Sequence, residues 1–80
     1  MRLPRDVSGA RLVKALRTQG YQQTRQSGDH VRLSTQQNGE HHLTIPLHDS
    51  LRVGTLAAII SDVEAHFGLT REELLRRLAL

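Results

Sequence analysis

The spacing of apolar residues along this chain changes twice. Between residues 9 and 19, Leu12, Val13 and Leu16 share one helical face. Ser8 stands where an N-cap belongs, and Gly20 is a natural C′ stop, so the spacing predicts a helix from about 9 to 19. From Tyr21 the period falls to two. Tyr21 to Gln26 is a weak strand by composition. Val31, Leu33 and Thr35 alternate with His30, Arg32 and Ser34 in a better one, and Leu43, Ile45 and Leu47 alternate with His42, Thr44 and Pro46 in a third. Pro46 has no N–H and suits an edge or a strand end. After the loop LHDSLRVG the helical period returns. Gly54 or Thr55 opens a helix with Leu56, Ile59, Ile60, Val63 and Phe67 on one face, and Gly68 closes it. Thr70-Arg71-Glu72-Glu73 is a capping box that starts a short last helix bearing Leu74, Leu75 and Leu78.

The two turns set the strand register. A two-residue turn at Asn38-Gly39 would place Leu33 opposite Thr44, and the apolar faces would disagree. A three-residue loop with left-handed Gly39 pairs Gln36 with Glu40, Leu33 with Leu43 and Val31 with Ile45, which keeps one face apolar. Ser27-Gly28-Asp29-His30 suits a type II′ turn with glycine first. Strict alternation from it pairs Gln26 with Val31 and Thr24 with Leu33, and sets Arg25 beside Arg32.

A three-stranded sheet cannot be stable with both faces wet. The expectation for residues 1–80 is one α+β domain: a three-stranded antiparallel sheet with two helices on one face, and a short C-terminal helix. His30, Arg32, Arg25 and Thr44 then lie on the outer face.

Charge changes this picture. The chain has eleven basic residues, ten of them arginine, and a net charge of +3. Residues 1–60 hold eight basic and four acidic side chains, and residues 61–80 hold three and four. The front of the domain is the part that would attract a polyanion, and arginine suits planar phosphate recognition. There is no cysteine to form a disulfide or a thiolate metal site. No apolar run is long enough for a membrane span, and the N-terminal MRLPRDVSG lacks an apolar signal core, so it reads as a native start. The expected location is the cytoplasm.

His30 is the candidate for chemistry. A neutral imidazole can take a proton from a ribose 2′-OH, and Arg25 and Arg32 could hold the adjacent phosphate for attack; no metal is required. His41 and His42 point to opposite faces of a strand, so they cannot share an ion with ordinary geometry. Neither a metal site nor a cofactor is expected. His48, after the proline strand end, could approach the substrate face. Lys14 and Arg17 on the polar face of the first helix either contact a nucleic-acid backbone or are simply solvated. Gly54-Thr55 could offer N–H groups to a phosphate or form an ordinary helix start.

Four blocks in order, SGARLVKALRTQGY, RQSGDH, LTIPLHD and LRVGTLAAII, resemble the HicA-type toxins of bacterial type II toxin–antitoxin systems. The resemblance spans about residues 8–60. It implies a fold similar to the double-stranded-RNA-binding domain, α-β-β-β-α, and a ribonuclease that cleaves mRNA. It also implies a cognate HicB-type antitoxin that covers the active site. The family's catalytic histidine maps onto His30 through the triplet Gly28-Asp29-His30. Arg25, Gly28, Arg32, Lys14 and His48 are the candidate RNA contacts. Asp29 stands where serine is common, Val31 where a second histidine or polar residue often follows, and the segment after Phe67 extends beyond the shortest members. Two other readings stay open. One is a non-catalytic RNA-binding module of the same fold. The other is an interaction domain that uses its arginines and the leucines of the last helix.

Overall fold

The protein is described here by a computed structural model covering residues 2–80; Met1, the expected native start, lies outside the described residues. The order of elements is α1 (Gly9–Thr18), β1 (Gln22–Ser27), β2 (His30–Thr35), β3 (His41–Pro46), α2 (Val53–Phe67) and α3 (Arg71–Leu78). The strands form one antiparallel sheet in the order β1-β2-β3, and the architecture is α+β as expected.

The caps follow the local sequence. Ser8 Oγ accepts a hydrogen bond from the Arg11 N–H at 3.0 Å, and Gly68 leaves α2 with φ 65°. The capping box of α3 is complete: the Glu73 N–H donates to Thr70 Oγ1 and the Thr70 N–H donates to Glu73 Oε1. The Thr70 N–H first, and then the Thr70 hydroxyl, hold the Glu73 carboxyl below its ordinary range. α2 opens earlier than Gly54 or Thr55. The Leu56 N–H donates to the Arg52 carbonyl at 2.9 Å, so Arg52 is the N-cap, without a side-chain cap bond.

In the β2–β3 hairpin Val31 faces Ile45 and Leu33 faces Leu43, the register set by the three-residue loop. Both Asn38 (φ 57°) and Gly39 (φ 100°) adopt positive φ in that loop. In the β1–β2 turn Gly28 has φ 58° and Asp29 does not have positive φ, as a type II′ turn requires. The strict alternation expected along β1 fails at one residue. Gln23, not Thr24, pairs with Leu33, and Thr24 forms a bulge between Gln23 and Arg25. The Thr24 hydroxyl instead meets the Arg32 carbonyl and Ser34 Oγ, at 3.4 and 3.3 Å. No residue of β1 is buried, so no apolar side chain fixed its register in the sequence.

Val31, Leu33, Leu43 and Ile45 are buried in one core with side chains from all three helices. α1 packs on β3, and α3 touches both α1 and α2. Leu74, Leu75 and Leu78 are inside this core, so the last helix offers no free leucine face to a partner. Tyr21 precedes β1 rather than starting it and is fully buried. Its hydroxyl lies 2.7 Å from His41 Nδ1, while His41 Nε2 lies 3.0 Å from Asp62 Oδ1. The His41 and His66 rings stack at 4.3 Å, and His66 Nε2 donates to the Gln37 carbonyl at 2.8 Å. This network ties the β2–β3 loop to α2.

Two predictions follow from the packing. A Cβ on Gly9 would lie 2.0 Å from the Pro46 carbonyl oxygen and 2.8 Å from Leu47 Cα, both backbone atoms. Alanine gains up to about 1 kcal/mol in helix propensity, but forcing the backbone apart costs about 1–3 kcal/mol or more. Gly9→Ala should therefore lower the melting temperature by several degrees in a thermal scan; a rise would contradict this contact. Second, burial, followed by the nearby Asp62 charge, pushes the Tyr21 hydroxyl up from 10.0 to about 12. The folded state holds this proton more tightly than the unfolded state. Its contribution is whole below pH 10 and is lost as pH rises toward about 12. Urea midpoints across that range should fall more for the natural protein than for Tyr21→Phe.

Candidate active site

The outer face of the sheet places the candidate residues together by register alone. Arg25 pairs with Arg32, Arg32 with Thr44, and His30 lies between Ser27 and Pro46. Arg25, Ser27, His30, Arg32 and Thr44 line a cleft of about 200 Å³. A broader cleft continues along the same face past Arg25 and Arg32 to Thr24, Ser34, Gln36 and His42. A third, sharing Thr24, Ser34 and Gln36, reaches Gln22 and Gly20. The narrow cleft joins His30 to the two arginines; the broader one joins the same arginines to His42.

Arg25 and Arg32 are like charges directly opposite each other, an arrangement that costs stability in a sheet. Neither guanidinium has a carboxylate within ion-pair distance among the described residues. A bound anion would relieve their repulsion. Both side chains are exposed, and Gly28 at the turn apex has nothing within 4 Å of where a Cβ would be. A chain-like ligand can therefore reach His30 over the turn.

His30 Nδ1 lies 2.8 Å from Asp29 Oδ1, and His48 Nε2 lies 3.4 Å from Asp29 Oδ2. One carboxylate thus stands between two imidazoles. His48 is brought there by backbone. The Leu47 N–H donates to the Asp29 carbonyl at 2.6 Å, and the Gly9 N–H donates to the His48 carbonyl at 2.9 Å. Sequence reasoning placed His48 near this face but missed the bridging carboxylate. The signal was present: extending the Val31–Ile45 register by two residues sets Asp29 opposite Leu47, beside His48.

The remaining histidines are occupied. His41 faces inward to Tyr21 and Asp62, and His42 faces outward, with Nδ1 2.6 Å from Ser34 Oγ and Nε2 3.2 Å from Glu40. The hydrogen bond from His42 is the largest cause holding the Glu40 carboxyl below its ordinary range. The two rings are on opposite faces, as strand geometry requires. Among the described residues no group of three or more His, Asp or Glu side chains is placed to hold a metal ion. His66 is half-buried and bonded only through Nε2, whereas His30 and His48 are open to solvent. Each is exposed and has one ring nitrogen with no protein partner among the described residues.

Lys14 is not part of this cluster. It is exposed on α1 and lines a separate cleft with Arg11, Ala15, Thr18 and the C-terminal Leu78, Ala79 and Leu80. No helix of the described residues is long and apolar enough to cross a membrane.

Comparison with known proteins places the chain in a family. No curated protein and no solved structure matches the chain. The family model described as "HicA toxin of bacterial toxin-antitoxin" matches residues 9–65, a span that runs from the first residue of α1 almost to the end of α2 and includes the whole sheet. By that match the chain belongs to the HicA toxins of bacterial toxin–antitoxin systems.

Proposed function

We propose that this toxin is a metal-independent endoribonuclease that cleaves mRNA, with His30 as its catalytic residue. It acts in the cytoplasm and is held inactive by a cognate HicB-type antitoxin that covers the cleft. The observation that carries this reading is an open imidazole set beside two guanidiniums that have no carboxylate partner. RNA cleavage needs a base to take the 2′-OH proton and cations to steady the phosphorus as the 2′-oxygen attacks. Arg25 and Arg32 meet the phosphate, and His30 meets the ribose hydroxyl. Gly28 leaves the approach open, and His48 stands across Asp29 from His30. Lys14, on another face, could contact only a more distant part of the RNA.

Incubation of the purified protein with RNA in the presence of a chelator tests the reading. Fragments are expected; intact RNA bound with steep salt dependence would make the protein a binding module of the same fold instead. His30→Ala should fold normally, fail to arrest growth and cut RNA about 10²–10⁴-fold more slowly. Continued arrest and cutting by this variant would remove His30 from its role. Arg32→Ala should weaken RNA binding and lower the salt slope by about one, while stability changes by no more than about 0.5 kcal/mol because the side chain is on the wet face. A large fall in melting temperature with RNA affinity unchanged would contradict it.

A further inference from the structure

The geometry points to a three-residue proton-handling unit, His30–Asp29–His48, in which Asp29 positions the base His30 and His48 is a second catalytic residue that protonates the leaving 5′-oxygen. It rests on the RNA-cleaving reading of the same cleft.

A carboxylate accepts but does not donate. On this proposal the ring nitrogens nearest Asp29, at 2.8 and 3.4 Å, are the ones that carry N–H. His30 then carries its proton on Nδ1, beside Asp29 Oδ1, and its bare Nε2 is the base. His48 carries a proton on Nε2, beside Asp29 Oδ2, and its Nδ1 is the atom left to give a second proton when the ring is charged. The side chains of His30, Asp29 and His48 are 54%, 60% and 57% exposed. At such exposure ion pairs contribute little stability. The arrangement thus orients rings more than it holds the fold. The backbone holds it instead, through the Leu47 N–H to Asp29 and the Gly9 N–H to His48. Arg25 and Arg32 are the other charged groups facing His30 in the cleft, and no acidic side chain lies in the first turn of α1 beside His48.

The step balances. His30 Nε2 takes the 2′-OH proton, the 2′-oxygen bonds to phosphorus, and the bond from phosphorus to the 5′-oxygen breaks. His48 Nδ1 gives its proton to that oxygen. The products are a 2′,3′-cyclic phosphate and a 5′-hydroxyl. His30 ends charged and His48 neutral, Asp29 stays ionised throughout, and exchange with water resets both rings. A neutral base working with a charged acid predicts a bell-shaped pH profile.

The test compares two RNAs of one sequence, chosen after mapping where the natural protein cuts. One is ordinary, and one carries sulfur in place of the bridging 5′-oxygen at the cut. A thiolate leaves without a proton. His48→Gln should cut the ordinary RNA about 10²–10⁴-fold more slowly, lose the alkaline fall of the pH profile, and cut the sulfur RNA within a few-fold of the natural rate. Asp29→Asn should be slow on both RNAs. ¹⁵N shifts of the free protein should show His30 with a bare Nε2, and Asp29→Asn should mix its tautomers. Each comparison is made within one variant, so partial unfolding cannot imitate the sulfur rescue. His48→Gln at the natural rate on ordinary RNA, or equally slow on both, overturns the second acid. A His30 tautomer unchanged in Asp29→Asn overturns the positioning role. Those results leave the ribonuclease reading intact. Uncut RNA with the natural protein, or normal cutting by His30→Ala, overturns both.

Discussion

The approach of α1 to the end of β3 is the contact on which the site depends. Gly9 sits so close to Pro46 and Leu47 that no side chain fits between them. At this distance the Gly9 N–H reaches the His48 carbonyl. Pro46 lacks an N–H and ends the strand, leaving Leu47 to turn its own N–H onto Asp29. Three segments distant in sequence thus meet through backbone: the start of α1, the β1–β2 turn and the exit of β3. Backbone hydrogen bonds at 2.6 and 2.9 Å fix the Asp29 and His48 main chains more firmly than exposed side-chain contacts could.

The sheet separates two kinds of work. Its inner face supplies Val31, Leu33, Leu43 and Ile45 to a core completed by the helices, and a domain of this size needs nearly all of that burial. Its outer face carries His30, Arg32, Thr44 and His42 in the open. Because successive side chains alternate, the two sets are fixed by one register. A slip that exposed Leu33 would also bury Arg32, so the stability of the core enforces the geometry of the site.

Much of this was legible before any coordinates. The inner-face apolar residues selected the three-residue loop, which put His30 and Arg32 on the outer face, and the type II′ turn at Gly28-Asp29 set Arg25 beside Arg32. The helix caps at Ser8, Gly68 and Thr70 were legible because each rests on a local hydrogen bond or a positive φ. Two features were not. The Thr24 bulge lies in a strand without one buried side chain, so the alternation had nothing to anchor it. The start of α2 at Val53 has no capping side chain, and Thr55 with its hydroxyl drew the boundary inward. Asp29 escaped notice for a different reason. Read one-dimensionally it is only a departure within the triplet, whereas its position opposite Leu47 sets it between two rings.

That position also resolves an apparent conflict of charge. A free carboxylate beside a phosphate-binding pair would weaken it. Asp29 directs both oxygens toward imidazoles, and neither guanidinium is within ion-pair distance of it. Asp29 therefore forms no ion pair with either arginine, and their mutual repulsion across β1 and β2 would be relieved by a bound anion. A serine at this position could accept from one ring nitrogen, but it has a single oxygen and no charge. Asp29 offers two charged oxygens to two rings, and that geometry brings His48, from the next loop, onto the same carboxylate as His30.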